Sequence, residues 1–177
     1  IVLGQYAFQT KVEFVFNPLA YSSFHERIFT ALKILVLYLQ KIFIPYGLSA
    51  DYSYEQIPVV TNLFSSPLAF LGFVVLVLML WTTFRILRNK RGSILVWASM
   101  FFFLPYLVIS NLIFPTGTIM GERLMYFPSL GAVIILALAN ERLFKFSKRT
   151  GLVFLLILLV VYGFITFSQN RVWASRE

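Results

Sequence analysis

The stretch PLAFLGFVVLVLMLWTTFRIL, Pro67 to Leu87, decides the class of this chain, since its one charge is Arg85 near the end. A helix needs roughly 20 apolar residues to cross about 30 Å of hydrocarbon, and this stretch supplies them. Three more gaps between charges follow, the second of them the shortest. No charged residue occurs between Arg91 and Glu122, between Arg123 and Glu141, or between Arg149 and Arg171. The spans expected from the four gaps run near residues 67–87, 93–114, 126–144 and 151–167. In lipid the backbone must satisfy its own hydrogen bonds, so each is expected to be a helix. Pro105 falls inside the second and is expected to kink it. Gly131, Ala132, Ala137 and Ala139 in the third suit close helix packing.

Composition agrees. Of 177 residues, 59% are hydrophobic, 18% aromatic and 12% charged, whereas a soluble domain carries about 25% charged residues. So few charges cannot solvate the outside of a soluble core that must also hide 20 Phe. The expected fold class is an all-α membrane protein, a polytopic helix bundle. The chain lacks cysteine, which removes thiol catalysis, disulfide frameworks and cysteine zinc sites.

The connectors set the orientation. RILRNKR, 85–91, holds four basic residues and no acid, and ERLFKFSKR, 141–149, holds four and one acid. Together they carry +7 of the net charge of +8. The positive-inside rule puts both on the cytoplasmic side. Residues 45–66, the turn at Glu122-Arg123 and the tail from Ser168 then face the exoplasm. A nucleic-acid surface is not expected, because no aromatic-interleaved soluble face accompanies the basic residues.

The first third reads differently. Residues 1–8 suit the end of an earlier span. Asn17-Pro18 signals a turn. Residues 25–44 suit a helix with Glu26, Arg27, Thr30, Lys33, Gln40 and Lys41 on one arc and Ile28, Phe29, Leu32, Leu35, Val36 and Leu39 on the other. That pattern fits both an interfacial helix and a crossing one. The chain starts at Ile1 without a basic leader, ends on a polar stretch, and reads as an interior piece of a longer protein.

Three polar sites need a reason. Glu122-Arg123 lies in PTGTIMGERLMYFPSLG, 115–131. It marks either a plain loop at the water surface or a place where Arg123 grips a phosphate at headgroup depth, its planar fork matching the oxygens, with Glu122 orienting it or pairing with it. Asp51, Tyr52, Tyr54 and Glu55 crowd LSADYSYEQIP, 48–58. Interfacial tyrosines serve as anchors; alternatively, aromatic faces and carboxylates there line a cavity for a sugar or headgroup. His25 stands alone and makes a poor metal ligand, so no metal or other cofactor is expected.

Three blocks resemble one family: RIFTALKILVLYLQKIFIPYGLSADYSYEQIP, FPTGTIMGERLMYFPSLG, and QNRVWASRE at the end. It is the transmembrane and tetratricopeptide-repeat O-mannosyltransferases with their prokaryotic relatives. The resemblance covers about residues 14–177, and ERLMYFPSLG is its most specific piece. The repeats themselves are absent from the chain. The resemblance implies the C-terminal part of a C-type glycosyltransferase membrane domain. Such enzymes pass a sugar, mannose among them, from a polyprenyl- or dolichyl-phosphate carrier to an acceptor, often a protein hydroxyl, on the exoplasmic side. The host membrane would be a prokaryotic plasma membrane or the endoplasmic reticulum. The family's catalytic acid lies in a first exoplasmic loop outside this sequence, so the catalytic residues are not identified here. The candidate substrate-binding residues are Arg123, Glu122, Tyr126, Asp51, Tyr52 and Tyr54, and the expected partners are membrane lipids, the lipid-linked donor and a protein acceptor. The alternative is a non-catalytic scaffold anchoring a soluble repeat domain. A transporter fits less well, because the four spans hold no ionisable midplane group.

Overall fold

Ser23 opens the first long helix by a reciprocal cap. Its Oγ accepts from Glu26 N–H at 3.4 Å, and the Glu26 carboxylate accepts from Ser23 N–H at 2.9 Å. The Ser23 hydroxyl also donates to that carboxylate, and these bonds hold the Glu26 carboxyl below its usual value. This computed structural model describes residues 16–45, 47–49, 52, 56–88 and 93–174. Asp51 and Tyr54 lie outside them. The helices are α1 (Phe24–Phe43), α2 (Pro67–Arg88), α3 (Ser93–Ile109), α4 (Tyr126–Phe146) and α5 (Lys148–Ala174). Three short 3₁₀ turns occur at Pro18–Ala20, Leu63–Ser65 and Glu122–Met125. Among the described residues there is no strand.

Three segments are long and apolar enough to cross a membrane: Pro67–Arg88, Glu122–Phe146 and Lys148–Asn170. The stretch expected as a span at 93–114 is helical only to Ile109. Asn111 then takes a left-handed φ of 57° and turns the chain, which ends α3 after 17 residues. Pro105 sits inside that helix.

The polar connector at 141–149 is not an open loop. Helix α4 runs through it to Phe146 and α5 begins at Lys148. No Gly or Pro interrupts this segment, Glu141 pairs with Lys145 one turn on at 2.6 Å, and the Ser147 hydroxyl accepts from Thr150 N–H as a cap. The tail expected to leave the last span stays helical to Ala174.

Contacts divide the chain into two compact units, 1–131 and 132–177. In the first, α1 buries Thr30, Ala31, Leu32, Ile34, Leu35 and Tyr38. This arc is rotated from the expected one: Thr30, placed on the polar side, is fully buried, and Ile28, Phe29, Val36 and Leu39 are only half-buried. The reason is one hydrogen bond, since the Thr30 hydroxyl accepts from Val60 N–H at 2.8 Å. Burying it costs little once paired. Helix α2 meets α1 so closely at Gly72 that an added Cβ would overlap the Leu32 carbonyl. Behind α1, Tyr38 meets Tyr106 of α3 edge-on and Phe102 stacks on Tyr106, forming a core with Leu19, Ile119 and Met120. The outer face of α2 leaves Phe73, Leu78, Trp81 and Phe84 exposed, as does α5 with Leu159, Val160 and Phe164 in the second unit. Such large apolar faces fit lipid as their solvent.

Candidate functional site

Placement of the Glu122–Met125 turn begins far away in sequence. Asn17 caps its own 3₁₀ turn by accepting from Leu19 N–H and donates to Asn111 Oδ1 at 2.8 Å and to the Thr116 carbonyl at 2.6 Å. Asn111 in turn donates to the Ile119 carbonyl at 3.1 Å, and its Oδ1 accepts from Thr116 N–H. The loop of residues 110–121 is thus laced to Asn17. Next, the buried Tyr38 hydroxyl accepts from Gly121 N–H at 3.0 Å and donates to the Gly121 carbonyl. Gly121 is the residue ahead of Glu122, so the Glu122-Arg123 step is fixed from both sides.

Glu122 does not pair with Arg123. Among the described residues the ion pair is Glu141–Lys145. The Glu122 carboxylate instead accepts from Tyr52 Oη–H at 2.6 Å and from Ser49 N–H at 3.1 Å. Burial pushes the Tyr52 phenol up, and its hydrogen bond to Glu122 pushes it further. Arg123 stays exposed.

A cavity of about 290 Å³ opens here, lined by Tyr38, Lys41, Glu122, Arg123, Tyr126 and Ser129 with apolar Ile42, Leu48 and Met125. The structure therefore brings together three expected residues, Glu122, Arg123 and Tyr126, with Tyr52 attached through Glu122. The sequence pattern places Lys41 only on the polar arc of α1; here it reaches the same cavity, its Nζ donating to the Gly47 carbonyl at 2.7 Å. A lysine in the last turn, followed at once by Pro45 and Gly47, is the available signal. His25 lies on the exposed start of α1, beside the rings of Phe24 and Phe29. No three metal-ligating side chains gather among the described residues. Chemically, two cations beside apolar walls suit an amphiphile with an anionic head.

No family model matches the chain, and no solved structure does. Curated relatives do. The chain is 29% identical over 140 residues to protein O-mannosyl-transferase TMTC1 of Homo sapiens, covering 75% of this chain and 16% of that protein. With TMTC1 of Mus musculus it shares 27% over 169 residues, or 91% of this chain and 18% of the relative. Against TMTC3 of Homo sapiens the figures are 26% over 163 residues, 90% and 18%. The chain thus spans less than a fifth of the length of these relatives. Over most of its own length it is a relative of the protein O-mannosyl-transferases TMTC1 and TMTC3 and resembles that membrane glycosyltransferase family.

Proposed function

We propose that this chain is the donor-binding part of an integral-membrane glycosyltransferase, one that moves a sugar, mannose by analogy with its relatives, from a polyprenyl- or dolichyl-phosphate carrier to a protein hydroxyl on the exoplasmic side. The observation that carries this reading is Arg123 on the wall of a cavity that also exposes apolar Ile42, Leu48 and Met125, directly before a helix long enough to span a membrane. The guanidinium holds the carrier phosphate and stabilises charge as the sugar leaves. Ile42, Leu48 and Met125 face the first isoprene units. Tyr126, on the rim, and Tyr52, held against Glu122, flank the sugar. The names of the relatives support the reaction class, and a cavity with cations beside apolar walls supports an amphiphilic anionic donor.

The test is Arg123→Ala in the full-length protein, assayed for mannose transfer from a polyprenyl-phosphate donor. A fall in kcat/KM of about 10²–10³ is expected, the range for removing one preorganised donor at a developing charge. Unchanged turnover and donor affinity would remove Arg123 from the site.

A further inference from the structure

Two positions of one short loop each hold a wall of the cavity. The Gly47 carbonyl accepts from Lys41, which comes from the last turn of α1. Two residues on, Ser49 N–H donates to Glu122, and Tyr52 donates to the same oxygen. One wall carries Lys41 and the other carries Glu122 with its neighbour Arg123, so Gly47 holds Lys41 while Ser49 and Tyr52 hold the residue before Arg123, around a single cavity. Gly47 sits at φ +60°, a conformation that glycine adopts freely and a side chain adopts only with strain. Its carbonyl meets Lys41 because of that turn.

We propose that Lys41 is a second phosphate-binding cation of this site, positioned by Gly47, and that the Ser49–Glu122–Tyr52 contact is the clasp that keeps it in the same cavity as Arg123. The proposal rests on the donor reading given above. Its chemical logic is charge count. A sugar phosphodiester carries about one negative charge, and a phosphate monoester about −1.5 to −2 at neutral pH. When the bond between sugar C1 and the phosphate oxygen breaks, its electron pair stays on that oxygen. The acceptor hydroxyl oxygen bonds C1, and its proton passes to a general base. Carrier charge therefore grows during the reaction, and a second cation acts more on the departing monoester than on the bound diester. Lys41 accordingly affects kcat more than KM.

The experiment uses the full-length protein in nanodiscs, with polyprenyl monophosphate, phosphate-free polyprenol and inorganic phosphate as probes. Lys41→Met is expected to weaken polyprenyl monophosphate binding about 10- to 100-fold, the worth of one charge-assisted hydrogen bond, and to leave polyprenol binding unchanged. Lys41→Arg retains most of the affinity. Gly47→Ala weakens it too, and the double variant Gly47→Ala with Lys41→Met binds no more weakly than Lys41→Met alone, because Gly47 acts through Lys41. Unchanged monophosphate binding in Lys41→Met, with loss in Arg123→Ala, removes Lys41 and leaves the donor reading standing. Unchanged binding in both variants sinks that reading, and the proposal with it. Equal loss of polyprenol binding makes Lys41 structural, and inorganic phosphate binding as tightly as the lipid makes the cavity a free-anion site; either overturns the proposal. Should Lys41→Met fail to assemble, unchanged monophosphate affinity in Gly47→Ala refutes it alone.

Discussion

Asn17 and Asn111 lie 94 positions apart and form one buried side-chain pair, the amide of Asn17 donating to the carbonyl of Asn111 at 2.8 Å. Both are fully buried, so removing either side chain strands its partners without water. Asn17→Ala is expected to cost about 1–3 kcal/mol for the groups left unpaired. Asn111 adds a second term through its left-handed φ of 57°. Asn111→Gly loses only the hydrogen bonds, whereas Asn111→Ala also takes on about 1–2 kcal/mol of backbone strain. Thermal unfolding in detergent should rank the parent first, Asn111→Gly second and Asn111→Ala last. Equal melting of the two Asn111 variants would contradict the strain argument.

The Tyr52–Glu122 contact makes a pH prediction. Burial and the hydrogen bond to Glu122 raise the folded pKa of Tyr52 above its unfolded value, which is about 10. Below that value both states keep the proton and the contribution is fully present. As pH rises past about 10, the unfolded state releases the proton first and stability falls. Tyr52→Phe should be less stable than the parent at neutral pH, by about 0.5–1.5 kcal/mol for one hydrogen bond. The gap should narrow above about pH 10. A gap that stays constant across that range would mean Tyr52 does not hold its proton in this contact.

What the sequence made legible and what it hid follow from range. Charge gaps fix where apolar segments lie, so α2 and α5 could be read directly from the runs beginning at Pro67 and Gly151. Residues 25–44 carry a polar arc opposite an apolar one, so α1 was legible too, although not the Ser23–Glu26 cap that opens it. The rotation of its buried arc was not, because Thr30 is buried only through Val60, 30 residues away. The helical turns on either side of Ser147 are hidden because a cluster of charge resembles a loop, while α4 is held there by the Glu141–Lys145 spacing and α5 by the Ser147 cap. At the site, Arg123 stands out as an isolated cation between apolar runs. Lys41 does not, since on a helical wheel it joins the other polar residues, and only the turn at Gly47 brings it to the cavity.

Close approach between α1 and α2 depends on a missing side chain. A Cβ at Gly72 would overlap the Leu32 carbonyl, whereas Gly163 on α5 has nothing within 4 Å of its added Cβ. Gly72→Ala is therefore expected to destabilise by about 1–3 kcal/mol or more, as overpacking does. Gly163→Ala should be neutral or stabilising by up to about 1 kcal/mol through helix propensity. Parallel thermal melts of the two variants check this, and a harmless Gly72→Ala would mean that the helices pack further apart.

The sidedness of the chain is the last prediction, and it governs the reading of Arg123 as an exoplasmic residue. Because the chain contains no cysteine, single cysteines report accessibility without background from this segment; any cysteines elsewhere in the full-length protein are first replaced. Thr61, exposed between α1 and α2, and Thr150, exposed in the first turn of α5, mark opposite ends of the expected spans. With the basic residues of 85–91 and 141–149 facing inward, Thr61→Cys should react with a membrane-impermeant maleimide on sealed membranes whose exoplasmic face is outward. Thr150→Cys should react only after permeabilisation. The reverse pattern would turn the cavity of Lys41 and Arg123 toward the cytoplasm. Labelling of both cysteines without permeabilisation would mean that an odd number of crossings does not separate them.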